Sequence, residues 1–224
     1  MALLGDLQRV FETTYGREAG VDLESCVVGP RRCAELVIRS QTCHSEMSDL
    51  ARFFFYVEDA NLRLALFFDD RVISTLEDSD PRSFLSEENV LPFLVLTEEL
   101  SHAIHTTYAF SEGGSSRVVD PEFLTELEML ARIDAYLLLR LFVRGLTHSY
   151  TATDREWVRH QAVTRWEVAY EDGDLDARYR GAARHAARFI DRLERLPRDH
   201  RLDALRAFRR LPLSAKKVVL ERRN

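Results

Sequence analysis

The segment Glu98 to His105 places two carboxylates and two imidazoles late in an apolar run that begins at Val90. Groups of this kind are costly to bury unless each finds an opposite charge, a hydrogen bond or a metal ion. Any fold built on the run must therefore bring partners to Glu98, Glu99, His102 and His105. The run, Val90-Leu91-Pro92-Phe93-Leu94-Val95-Leu96, reads as a buried helix. Asn89 can cap it, Pro92 is tolerated in its first turn, and it is expected to reach about Tyr108.

The pattern on either side defines the fold class. Leu4, Leu7, Val10 and Phe11 recur at helical spacing near the N-terminus. Ala34–Arg39, Arg52–Val57, Leu62–Phe68 and Val72–Leu76 are β-branched or aromatic runs, separated in places by Asp/Asn turns, and predict an antiparallel meander of three to five strands. After a polar connection over residues 77–89 the chain becomes helical. Asp120-Pro121-Glu122 is a helix start, and the helix it opens is apolar almost all round as far as Val143. Thr153 with Glu156 predicts a capping box. Ser111–Ser116 and Glu171–Asp174 read as loops. Leu175–Leu196 and two short helices, near His200–Arg210 and Ala215–Arg222, complete an α+β chain. Residues 1–80 are helix plus antiparallel sheet. Residues 81–224 form a helical region packed on it, ending in a basic tail over 178–224, the whole making one compact domain.

With 46% apolar and 30% charged residues, the composition is that of a globular protein. No apolar run reaches the roughly 20 residues of a membrane span. Asp6 and Arg9 do not fit a secretory signal, so a cytoplasmic location is expected. Cys26, Cys33 and Cys43 lack zinc-site spacing, and buried free thiols are expected of them. A Cys26–Cys33 disulfide is the alternative. No nucleotide-binding glycine motif and no GxSxG elbow occurs.

At about 3.6 residues per turn, Glu98, His102 and His105 share one helix face. Glu98 and His102 are spaced to share a metal ion, and they are equally spaced for an ordinary ion pair, with His105 touching a neighbouring helix. His105 lies about 10.5 Å along the axis from Glu98, so one ion would take Glu98 with His102, or His102 with His105. Glu99-Leu100-Ser101-His102 also matches the ExxH of di-iron bundles, but no second ExxH is present to complete such a site.

Glu98-Glu99-Leu100-Ser101-His102 resembles HExxH, the active-helix motif of the zincin metallopeptidases, with Glu98 in place of the first His. The resemblance extends to the layout of strands, motif helix and second acidic helix over about residues 50–145. It implies a metal-dependent hydrolase, active or degenerate, with a divalent ion, zinc in that family, held by Glu98 and His102. Glu99 would be the general base. An acid some twenty residues on, among Glu122, Glu126 and Glu128, would be the third ligand, and Glu126 is the one expected. The Glu-for-His exchange makes the set richer in oxygen and more negative, which could favour another divalent ion.

Asp134 shares a face with Leu127, Leu130, Leu137 and Leu141 and should point into the core. An Arg on a packed helix is one expected partner. The other expected role is support of His102 or His105 from behind the ligands.

Charge is distributed unevenly. From Arg178 onward there are 15 basic and 5 acidic residues, against 16 and 32 in residues 1–177. Arg180, Arg184, Arg188, Arg192 and Arg195 form a ridge along one helix, opposite Ala182, Ala186, Phe189, Leu193 and Leu196. Such a ridge suits an acidic protein partner or docking of the tail on the acidic body. No aromatics interleave with it and the net charge is −6, so nucleic acid is a less favoured partner than an acidic protein. A non-enzymatic interaction protein is thus the alternative to the hydrolase.

Overall fold

Helix α1 (Ala2–Tyr15) buries Leu3, Leu4, Leu7, Phe11 and Tyr15 along one side, as its spacing predicts. In the computed structural model, which describes residues 2–39, 49–120, 122–165 and 173–221, the chain then forms α2 (Pro30–Arg39) and a hairpin of β1 (Ala51–Glu58) and β2 (Asn61–Phe68). Helices α3 (Asp70–Asp78), α4 (Val90–Val118) and α5 (Phe123–Thr147) follow. The chain ends in α6 (Ala152–Arg159), α7 (Gly173–Arg195), α8 (Arg201–Arg210) and α9 (Leu213–Glu221). The architecture is α+β, with an N-terminal helix, an antiparallel sheet and a helical C-terminal half. No described helix is long and apolar enough to cross a membrane.

The sheet is a two-stranded hairpin among the described residues, smaller than the expected three to five strands. Two segments read as strands are helices. Pro30 opens α2, and Cys33 and Leu36 form its buried face while Ile38 is exposed, a helical rather than an alternating pattern. Asp69 accepts the Arg71 N–H and caps α3, which buries Val72 and Leu76 four residues apart. Burial at helical spacing, with the Asp69 cap in α3, overrides the β-propensity of Val and Ile.

The hairpin pairs Ala51 with Phe68 and Glu58 with Asn61 across a two-residue turn, Asp59-Ala60, with φ values of +49° and +60°. Its faces serve different helices. Phe54, Ala65 and Phe67 pack with Cys33 and Leu36 of α2. Leu66 and Phe68 join the main core, and Phe53 and Leu64 pack against it.

Helices α4 and α5 are the centre of that core. Every residue from Phe93 to Ala109 is buried except Glu98, and every residue from Glu126 to Tyr136 is buried. Asn89 does not cap α4; its side chain donates to the Ser79 and Phe84 carbonyls and accepts the Ser86 N–H, organising the preceding loop. Ser111–Ser116, expected as a loop, lies within α4, where Gly114 (φ 64°, ψ −157°) breaks the helical geometry. The capping box of α6 uses Thr151 and Asp154, two residues before the expected pair. The helix continues as a π-turn over His160–Thr164. Glu171 and Asp172 of the expected loop, together with Cys43, lie outside the described residues, and Gly173 and Asp174 already belong to α7. Cys26 and Cys33 are free thiols, Cys33 buried and Cys26 half-buried.

The basic tail docks on the body, but through α8 and α9 rather than the ridge on α7. Arg206 donates to the Thr13 and Thr14 carbonyls of α1, and Arg209 pairs with Glu112. Lys217 pairs with Glu122 at 2.8 Å. Lys216 is fully buried, its ammonium 2.6 Å from Glu126 and also donating to the Arg209 and Leu211 carbonyls.

Candidate metal centre

Helix α4 carries its polar residues to two partners on α5. His102 faces Glu128, with His102 Nε2 3.9 Å from Glu128 Oε2. One turn further along α4, His105 Nε2 lies 2.8 Å from Asp134 Oδ2. Each contact works because both helices are buried nearly all round, so that side chains on every face meet another element.

The first group is a candidate metal centre. One donor atom each from Glu98, His102 and Glu128 lie within 4.8 Å of one another. Two donors on one ion at about 2.0–2.2 Å stand roughly 3–4 Å apart, so a small inward shift suffices. His102 Nε2 is buried and has no hydrogen-bond partner. Its other nitrogen, Nδ1, is 3.4 Å from Glu99 Oε2. A carboxylate behind a histidine, with the far nitrogen free to face an ion, is the arrangement that orients metal-ligating imidazoles. Phe53 covers the ring, its centroid 6.4 Å from that of His102. Glu99, His102 and Glu128 are buried, and Glu98 is the partly exposed member of the group.

The electrostatics match this crowding of carboxylates. Burial, reinforced by Glu128, pushes the Glu98 carboxyl up to about 7, with His102 opposing. Burial alone would lower the His102 imidazole, but Glu128, Glu99 and Glu98 together outweigh it and raise His102 to about 9.

Glu126, the expected third ligand, is not in this group. Its carboxylate is taken by Lys216 and Arg117, and Glu128 stands in its place. The two differ by about 200° around the helix, and a helix apolar on every side gives no sequence signal for which faces α4.

His105 is also apart from the group. Asp134 accepts from His105, from Ser101 Oγ at 2.6 Å and from Tyr15 Oη at 2.5 Å. Asp134 thus points inward as expected and supports His105, and no Arg pairs with it among the described residues. Leu141, placed on the same face, is exposed instead. Burial, with Asp134 nearby, raises the Tyr15 hydroxyl well above its ordinary value. Tyr15 and Ser101 carry no signal in the sequence, since Tyr15 ends a helix 119 residues before Asp134 and Ser101 is a small residue inside the motif.

On α7, Arg180, Arg184, Arg188 and Arg195 are exposed. Arg180 pairs with Asp176, and Arg192 donates to the Val219 carbonyl. A cavity of about 170 Å³ lies on the α2 side of the hairpin, lined by Val28, Leu36, Phe54 and Arg63 among others, away from the Glu98 group. Comparison with protein-family models, with curated proteins and with solved structures finds no match to this chain.

Proposed function

We propose that the protein holds a divalent metal ion between α4 and α5 through Glu98, His102 and Glu128, and is a metal-dependent hydrolase of variant zincin-like type. The observation that carries this reading is His102 Nε2, buried, without a hydrogen-bond partner and facing Glu128 at 3.9 Å. A buried polar nitrogen in that state is costly unless something binds it. Two carboxylates and one imidazole suit manganese or iron as well as zinc. Such an ion, when bound, polarises a carbonyl or phosphoryl oxygen.

The chain's own residues have distinct parts in this proposal. Glu99 accepts from His102 Nδ1 and holds the ring so that Nε2 faces Glu128. In this proposal Glu99 is a positioning residue, whereas the motif implies a general base at that place. Glu98, the only partly exposed member, marks the side from which solvent or substrate reaches the group. The test is metal content of the full chain beside His102→Ala and Glu98→Gln, followed by peptide and ester hydrolysis with metal and with chelator. Bound metal lost in both variants, with chelator-sensitive hydrolysis, supports the proposal. Metal without hydrolysis leaves a metal-binding protein with a degenerate motif. No metal in any form overturns both.

The exposed ridge supports a second reading, an interaction protein with an acidic partner. Arg188 and Arg195 have no ion-pair partner among the described residues, and the tail docks without them. Retention of an acidic polypeptide by the wild type, lost when Arg184, Arg188 and Arg195 become Gln together, would favour it.

A further inference from the structure

Arg132 lies on α5 four residues after Glu128, on the same face and one turn along. It is buried, only 7% exposed. Its Nε has no hydrogen-bond acceptor, and no ion pair to its guanidinium is formed among the described residues. Its neighbours make the omission more pointed. The other buried cations find carboxylates: Lys216 has Glu126, and Arg209 has Glu112. Arg132 stands close enough to Glu98 for its charge to favour the ionised carboxylate, yet it does not bond to it. A guanidinium Nε held away from water and left without an acceptor is destabilising.

The charge balance gives the unpaired fork a use. Glu98, Glu99 and Glu128 contribute three negative charges, which a divalent ion alone leaves uncompensated by one. With Arg132 the centre is formally neutral when His102 is neutral. An anion approaching through the Glu98 side would be repelled by the centre without Arg132. With Arg132 it finds a planar pair of donors suited to two oxygens of a carboxylate or phosphate.

We propose that Arg132 is the anion-binding residue of the metal centre, and that the ligand or substrate carries a carboxylate or phosphate oxyanion bridging the ion and the Arg132 guanidinium. This inference rests on the metal-centre reading. It narrows the substrate class from any carbonyl or phosphoryl compound to one bearing a negative charge beside the reacting group.

The experiment is calorimetric titration of the manganese-loaded full chain with two probes, oxalate and inorganic phosphate. The wild type is expected to bind at least one of them. Arg132→Gln should keep its metal and bind that probe about tenfold or more weakly. Arg132→Lys retains the charge but not the fork, and should recover only part of the affinity. The response to oxalate against phosphate separates the two sources of the oxyanion. Equal affinity in the wild type and either variant overturns the inference, as does failure of the loaded wild type to bind either probe. If Arg132→Gln does not fold, the wild-type and Arg132→Lys titrations decide. A wild type that takes no manganese overturns the metal-centre reading and this inference with it. Metal-loaded protein blind to both anions overturns this inference alone.

Discussion

His105 Nε2 donates to Asp134 Oδ2 across 2.8 Å, with both side chains almost wholly buried. This contact ties α4 to α5 next to the turns that carry Glu98, His102 and Glu128. Asp134 also accepts from Ser101 and from Tyr15, so three elements meet on one carboxylate. The spacing of the candidate ligands therefore depends on a polar contact that none of them makes.

Asp134→Ala is expected to destabilise the protein by about 3–5 kcal/mol, because it leaves three buried donors without their acceptor. Denaturant unfolding followed by circular dichroism measures this. A loss under about 1 kcal/mol would mean that the network is not holding the helices together.

Stability of the metal-free protein should fall as pH rises above neutrality. His102 is raised from 6.5 to about 9, so the folded chain holds a proton that the unfolded chain has released. Its stabilisation is complete below pH 6.5 and is lost as pH rises through about 9. Glu98, raised from 4.5 to about 7, also loses its stabilisation with rising pH, in the lower window between those values. Lys216 acts the other way. Burial lowers it from 10.5 to about 8 despite Glu126, so its contribution grows with pH between those values. The interval between about 7 and 8 thus isolates His102 among these three. Denaturation midpoints in chelator should decline across it for the wild type, and a flat profile there would contradict the raised imidazole.

Which parts of this were legible in the sequence follows from what each signal measures. Leu4, Leu7 and Phe11 declared α1 because one apolar stripe on a helix has one reading. Glu98 and His102 were legible as a pair because i, i+4 spacing fixes their neighbourhood regardless of tertiary structure. Val72–Leu76 is ambiguous in the sequence because a short β-branched run suits either state, and the Asp69 cap decides for helix. The choice of Glu128 over Glu126, and the recruitment of Tyr15 and Ser101 by Asp134, depend on how α5 is rotated against α4, which periodicity in an all-round apolar helix does not encode.

Glu99→Gln separates two roles for that residue. As the support of His102 it should weaken metal binding about 10–100-fold. As a general base its loss would leave metal affinity unchanged and abolish only turnover. Competition against a fluorescent chelator reads the affinity directly, and unchanged affinity would contradict the positioning role.

Lys216 anchors α9 beneath Glu126. Lys216→Ala should cost about 3–5 kcal/mol, since it leaves a carboxylate at a buried site with only Arg117. Limited proteolysis should then cut within residues 213–221 before the rest of the chain, whereas an unchanged cleavage pattern would show that α9 is held by other contacts.

Ala60 sits at φ +60° in the hairpin turn, a region that costs a non-glycine residue roughly 1–2 kcal/mol. Ala60→Gly is expected to stabilise the protein by about 0.5–1 kcal/mol, read as a higher denaturation midpoint. A lower midpoint would show that glycine's greater freedom in the unfolded chain outweighs the relieved strain.

The central claim is that Glu98, His102 and Glu128, rather than Glu126, hold a divalent ion. The most direct measurement is equilibrium dialysis of the full chain against zinc or manganese, followed by elemental analysis of the wild type, Glu128→Gln and Glu126→Gln. About one ion per chain is expected in the wild type and in Glu126→Gln, and almost none in Glu128→Gln. An ion retained by Glu128→Gln, or no ion in the wild type with either metal, would contradict that claim.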